Sequence, residues 1–105
     1  MSWIYLILGG VFEVGWPLGF KLSQTLGHKF LWIMLSVVSM SLSGLFLYLA
    51  QREIPIGTAY AVWTGIGAAG TFLIGILFFQ DSATFWRMAS AALIIIGIVG
   101  LKLTS

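Results

Sequence analysis

The sequence predicts an all-α integral membrane protein of four transmembrane helices, and three observations predict it. Of 105 residues, 60% are hydrophobic and 8% charged, whereas soluble domains carry roughly 25% charged residues. Too little polar surface remains to cover a water-soluble core. Mean hydropathy is +1.08, and the apolar residues come in runs of bilayer length separated by short polar breaks holding one or two charges each. Four spans of about 20 residues use up roughly 80 positions, so only connectors remain, and any activity must lie inside the membrane.

The first span is expected over residues 3–22, ending at the polar Ser23-Gln24-Thr25 with Gly27, His28 and Lys29. The second, over 30–50, is closed by Gln51-Arg52-Glu53. Pro55 after Ile54 marks a turn, because a residue before proline is pushed out of the helical region. The third covers 57–79 and stops at Gln80-Asp81-Ser82; the fourth covers 85–103 between Arg87 and Lys102, whose long stems can reach the headgroups. Each stretch is too uniformly apolar for a water-facing helix, and only helices satisfy their own backbone in lipid from so short a chain. Residues 1–105 are therefore read as a single four-helix domain. The first stretch holds Glu13 and has no Lys or Arg before Lys21, unlike a cleaved signal peptide, and is expected to be a retained helix.

Several function classes fall away. Cysteine is absent, and His28 stands alone in a loop, so no metal site or cofactor is expected. The net charge of +2 rests on bases scattered singly at span ends, which offers no basic patch and no nucleic-acid partner. The serines have no base beside them in sequence, so nothing supports hydrolysis or group transfer by an enzyme. The bases also bear on topology. Loops one and three carry Lys21, Lys29 and Arg87 on one side; loop two and the C-terminus carry Arg52 and Lys102 on the other. Short-loop Lys and Arg orient a helix bundle, and this near balance predicts a weak preference or insertion both ways, unless the small excess suffices.

Glu13 is the ionisable residue deep inside a predicted span. A carboxylate near the bilayer centre costs several kcal/mol unless protonated, paired or facing a polar cavity, which makes it a functional candidate. Removing a carboxyl from water disfavours its charged form and a bound cation favours it, so such a group can exchange a proton for a cation. Positions three and four apart share a helix face, which puts Gly9, Gly10, Trp16 and Pro17 beside Glu13: small residues that open space, and an indole donor. Pro17 cannot donate to the Glu13 carbonyl and its ring crowds it, so a bend is expected there. In the third span, Tyr60 and Trp63 share a face, with Gly67 a turn further on. Two rings with polar tips look like the walls of an organic-cation site, since ring faces attract cations. Gly65-Ile66-Gly67-Ala68-Ala69-Gly70 matches the dinucleotide fingerprint G-x-G-x-x-G, but no strand precedes it. Small residues at Gly65 and Gly67 instead suggest close packing or a bend, and Gly97 and Gly100 suggest close helix approach in the fourth span.

Glu13, the run Pro55-Ile56-Gly57-Thr58-Ala59-Tyr60-Ala61-Val62-Trp63-Thr64-Gly65-Ile66-Gly67, and Gly100-Leu101-Lys102 together resemble the small multidrug resistance family over essentially the whole chain. Gly10, Trp16, Ser43 and Lys102 resemble its guanidinium-exporting branch. The resemblance implies an antiparallel, dual-topology homodimer with two copies of Glu13 at one central site, in the inner (plasma) membrane, exporting its substrate by proton-coupled alternating access. It also implies roles: Glu13 for the carboxylate shared by proton and cation, Trp16 and Ser43 for the donors that hydrogen-bond it, Tyr60 and Trp63 for the aromatic walls, Gly10 for the small residue that lets substrate approach. The chain departs from those exporters at Trp16-Pro17-Leu18-Gly19-Phe20, where they usually lack proline, and at Leu22-Ser23-Gln24.

The expected function is thus a proton-coupled antiporter of guanidinium and small substituted guanidines, whose partners are the organic cation, protons, membrane lipid and a second copy of the chain. An exporter of quaternary ammonium or other hydrophobic cations is the alternative on the same scaffold. A membrane subunit without transport activity is disfavoured, because a buried acid facing aromatics is costly without a use.

Overall fold

The computed structural model describes residues 2–104 and contains four helices: α1 (Ser2–Thr25), α2 (Lys29–Gln51), α3 (Ile56–Phe78) and α4 (Phe85–Thr104). All four are long and apolar enough to cross a membrane. At about 1.5 Å per residue, the 24 residues of α1 exceed the roughly 30 Å hydrocarbon core.

α1 runs three residues past the expected 22, through Ser23-Gln24-Thr25. These polar residues do not break the helix, because Ser23 Oγ donates to the Phe20 carbonyl (2.7 Å) and Thr25 Oγ1 to that of Lys21 (3.1 Å). The stop comes from Gly27 and His28, which adopt left-handed backbone with φ of 79° and 49°; the glycine does so without steric cost. Between α2 and α3, Glu53 and Ile54 donate their amides back to the Ala50 carbonyl, and Pro55 then leads into α3. α3 ends one residue short of the expected 79. Phe79 and Asp81 both donate amides to the Gly75 carbonyl while Gln80 turns left-handed at φ 59°. Gly75 is needed there because a Cβ would run into the Asp81 carboxylate. Thr84 begins α4 by accepting the Arg87 amide at Oγ1, 3.3 Å away, which satisfies an otherwise orphaned donor of the first turn.

α1 packs most extensively on α2 and then on α3, whereas α4 packs along α3 and reaches α1 through Lys102, whose ammonium lies 5.2 Å from the centroid of the Trp3 ring. Lipid offers no hydrophobic drive for helices to associate, so close approach and polar contacts must do it. α1 and α2 meet along a seam of glycines against serines, with Gly19 opposite Ser36, Gly15 opposite Ser39 and Gly9 against the Ser43 backbone. α1 and α3 mesh similarly: Ile66 covers Gly10, Glu13 covers Gly67 and Val14 covers Gly70. The buried core of Leu6, Ala50, Ile54, Ala59 and Val62 lies at the end where α1 starts and α2 turns into α3. No residue of α4 is buried. Gly97 and Gly100, expected at a close helix approach, face open space within the chain. Extents of 43 × 34 × 16 Å describe a slab.

Candidate functional site

Glu13 sits half-buried midway along α1. One carboxylate oxygen, Oε1, accepts the Trp16 indole N–H at 2.8 Å, a contact set by their i, i+3 spacing on one helix face. From α2, Ser43 Oγ approaches the same oxygen at 3.4 Å. Ser43 is fully buried and is the hub of the site: its hydroxyl donates to the Gly9 carbonyl at 2.6 Å and accepts the Trp63 indole N–H at 2.8 Å. A hydroxyl has one proton to give. While Ser43 spends it on Gly9, Glu13 receives at most a weak contact; turning it toward Oε1 gives the carboxylate a second donor. Among the described residues nothing hydrogen-bonds the other oxygen of Glu13, which leaves it for a proton or an incoming donor.

The structure brings Glu13, Trp16, Ser43 and Trp63 into one hydrogen-bonded cluster spanning three helices. Tyr60 joins it through ring packing on Trp63, with centroids 5.5 Å apart and planes tilted 46°, and its side chain is otherwise exposed at the face of the chain. Gly10 is placed differently from the open space expected of it. Its vacant side is filled by Ile66, with a Cβ there only 2.6 Å from Ile66 Cγ2, so it holds α1 against α3. Gly67 likewise receives Glu13 itself, and Gly65 receives Ile98 and Ile94 of α4; α3 runs as one helix through both. α1 also continues through Pro17.

A cleft of about 450 Å³ leads from Glu13 and Trp16 past Pro17, Thr64, Gly67, Ala68, Thr71 and Phe72 to Asp81 and Arg87. A second, about 260 Å³, adjoins it at Pro17, Thr71 and Asp81 and reaches Lys21. Both extend to residues at the end bearing loops one and three, Lys21, Asp81 and Arg87, whereas the apolar core lies at the other end. Arg87 is held there by donating from Nε to the Ser82 carbonyl (2.7 Å) and by lying over the Phe72 ring, 4.9 Å from its centroid. Sequence reasoning did not find the cleft residues Thr64, Thr71, Asp81 and Arg87, since a threonine in an apolar run and a charge in a loop give no periodic signal. It also passed over Ser36, although Ser36, Ser39 and Ser43 at i, i+3 and i+7 mark one face of α2.

The family model for the small multidrug resistance protein matches residues 1–94. The guanidinium exporter of Escherichia coli K12 is 44% identical over 108 residues, covering 100% of this chain and 99% of that protein. Guanidinium exporters of Proteus vulgaris and Yersinia pseudotuberculosis are 44% and 45% identical, each covering the full length of both chains. Four membrane-spanning helices, a carboxylate inside the first of them and full-length kinship place the chain in the small multidrug resistance family, as a multi-pass protein of the inner membrane.

Proposed function

We propose that this protein is a proton-coupled antiporter that exports guanidinium and small substituted guanidinium ions by alternating access, with residues 1–105 acting as one four-helix unit in an antiparallel, dual-topology homodimer. The observation that carries the reading is the Glu13 carboxylate, held at one oxygen by the Trp16 indole and open at the other beside a cleft. Relatives named as guanidinium exporters support the substrate class.

Guanidinium is planar and rich in N–H donors, so it pairs with a carboxylate through parallel hydrogen bonds while lying against an aromatic face. Glu13 provides the carboxylate, and Tyr60 and Trp63 provide the face. Trp16 and Ser43 fix the carboxylate's direction, and Gly10 keeps α1 close to α3 beside it. Proton and cation compete for Glu13: the ionised group takes the cation, and a proton arriving from the other side expels it. Pro17, Gly65 and Gly67 are where α1 and α3 flex as one end opens and the other shuts. The slab is 16 Å thin, little more than one helix diameter of about 10–12 Å, so one chain presents only one wall of a site. A second copy supplies the other, with the unburied α4 available for contact.

Glu13→Gln keeps size and hydrogen bonding but removes titration. In liposomes it is expected to abolish guanidinium-driven proton flux while the oligomer stays intact; retained coupled flux would sink the mechanism. In the parent protein, guanidinium affinity is expected to weaken as pH falls, since protons occupy the same carboxylate, and binding is expected to release protons by reciprocity.

A further inference from the structure

We infer that Ser36 is a positioning residue for the Glu13 site: its hydroxyl clamps the Trp16–Pro17 peptide carbonyl and so holds the Trp16 indole on the carboxylate. The inference rests on the reading of Glu13 as the shared proton and cation site. It starts from a weak point in α1. Pro17 has no amide to donate to the Glu13 carbonyl, and its ring crowds that carbonyl, so the turn carrying both Glu13 and Trp16 lacks a backbone bond. The carbonyl of Trp16 belongs to the peptide bond with Pro17. Ser36 Oγ donates to it from α2 at 2.9 Å.

Serines in membrane helices commonly satisfy themselves on their own helix. Ser41 does so on the Val37 carbonyl and Ser90 on that of Trp86. Ser36 instead reaches across to another helix, fully buried. It can reach because Gly19 leaves the way clear: a Cβ there would run into Ser36 Oγ. Within Trp16-Pro17-Leu18-Gly19 the chain therefore places the acceptor, the missing backbone bond and the access for the donor. The 2.8 Å bond from the Trp16 indole to Glu13 depends on the backbone of that same turn, which the clamp restrains from outside. The charged or titratable groups facing Glu13 are Asp81 before α4 and Arg87 on α4, across the shared cleft, with Tyr60 of α3 beside Trp63. From α2, Ser43 contacts it.

The test measures guanidinium affinity of the full-length protein in liposomes across pH for Ser36→Ala, Gly19→Ala and Trp16→Phe. A loosened indole stabilises the ionised carboxylate less, so protons compete better. The pH of half-maximal affinity is expected to move upward, and affinity at mildly acidic pH to fall on the order of three- to fivefold, the effect of about one hydrogen bond. Trp16→Phe is expected to shift the profile the same way, with Ser36→Ala adding nothing on top of it, because both act through one bond. Gly19→Ala displaces the hydroxyl while leaving Ser36 in place and is expected to reproduce the shift; it carries the test if Ser36→Ala does not fold. A profile unmoved in Ser36→Ala and Gly19→Ala, with only yield or maximal rate reduced, overturns the clamp, and so does a shift that adds in full to that of Trp16→Phe. Glu13→Gln keeps the two readings apart. Coupled flux in that variant defeats the Glu13 site itself, whereas its loss together with an unmoved Ser36→Ala profile defeats the clamp alone.

Discussion

Ser43 holds two partners besides the carboxylate, and that double engagement governs what its loss does. Ser43→Ala removes the hydroxyl that, alone among the described residues, reaches Glu13 Oε1, and also strips the Trp63 indole of its acceptor. A net hydrogen bond is worth about 1 kcal/mol, a several-fold effect. Guanidinium, which needs a carboxylate fixed in direction, is expected to lose several-fold more transport than a quaternary ammonium ion, which has no N–H to match. Uptake of both ions by the variant in liposomes checks this, and equal losses would point to a pocket that reads charge and not donor geometry. Glu13 was legible in the sequence because an acid in an apolar span is conspicuous, and Trp16 followed from helical spacing. Ser43 was reached only through the family resemblance, since serine in a membrane helix carries no cost that makes it stand out. That it binds the Gly9 carbonyl is a matter of how two helices cross, which no local pattern encodes.

Among the elements, the meshing of α1 with α3 is sensitive to volume at the carboxylate itself. A Cβ at Gly67 would lie 2.5 Å from Glu13 Cγ, and overpacking typically costs about 1–3 kcal/mol. Gly67→Ala is expected to turn the carboxylate away from its donors and reduce guanidinium affinity on the order of tenfold, the equivalent of about 1.4 kcal/mol. Gly44→Ala, where nothing lies within 4 Å, is expected to be neutral in the same binding assay. The four helices could be placed from their apolar runs because hydropathy over a bilayer's width is a strong signal. Their ends moved by up to three residues where polar side chains such as Ser23 and Thr25 bonded back to the helix instead of breaking it. Gly10 reads as an opening, yet Ile66 fills it, whereas Gly65 and Gly67, which read as places of close packing or a bend, receive Ile98 and Glu13. Sequence marks where room exists, and only packing decides what enters it.

At the scale of the whole molecule, the near balance of Lys21, Lys29 and Arg87 against Arg52 and Lys102 bears directly on assembly. Adding two Lys residues to loop two beside Arg52 is expected to bias every chain toward one orientation. Activity is expected to fall and then recover on co-expression with a variant biased the other way, as read by guanidinium resistance together with loop labelling from each side of the membrane. Unchanged activity in a population shown to have a single orientation would mean a parallel assembly and contradict the proposed architecture.

The glycine–serine seam has a consequence for how the site comes into being. The bonds from Trp16 to Glu13, from Ser43 to Gly9 and from Ser36 to Trp16 all lie within α1 and α2; the Trp63 indole alone is added from α3. These two helices are consecutive, joined through Leu26, Gly27 and His28, and contacts close in sequence carry the smallest loop-closure cost. Synthesis proceeds from the N-terminus, so the hairpin can fold its polar seam while α3 is still being made. Glu13 then waits for the rest of the chain already shielded on its α2 side, spared the cost of a bare acid in lipid during insertion. The residue most dangerous to biogenesis is thus the one whose shelter is assembled first.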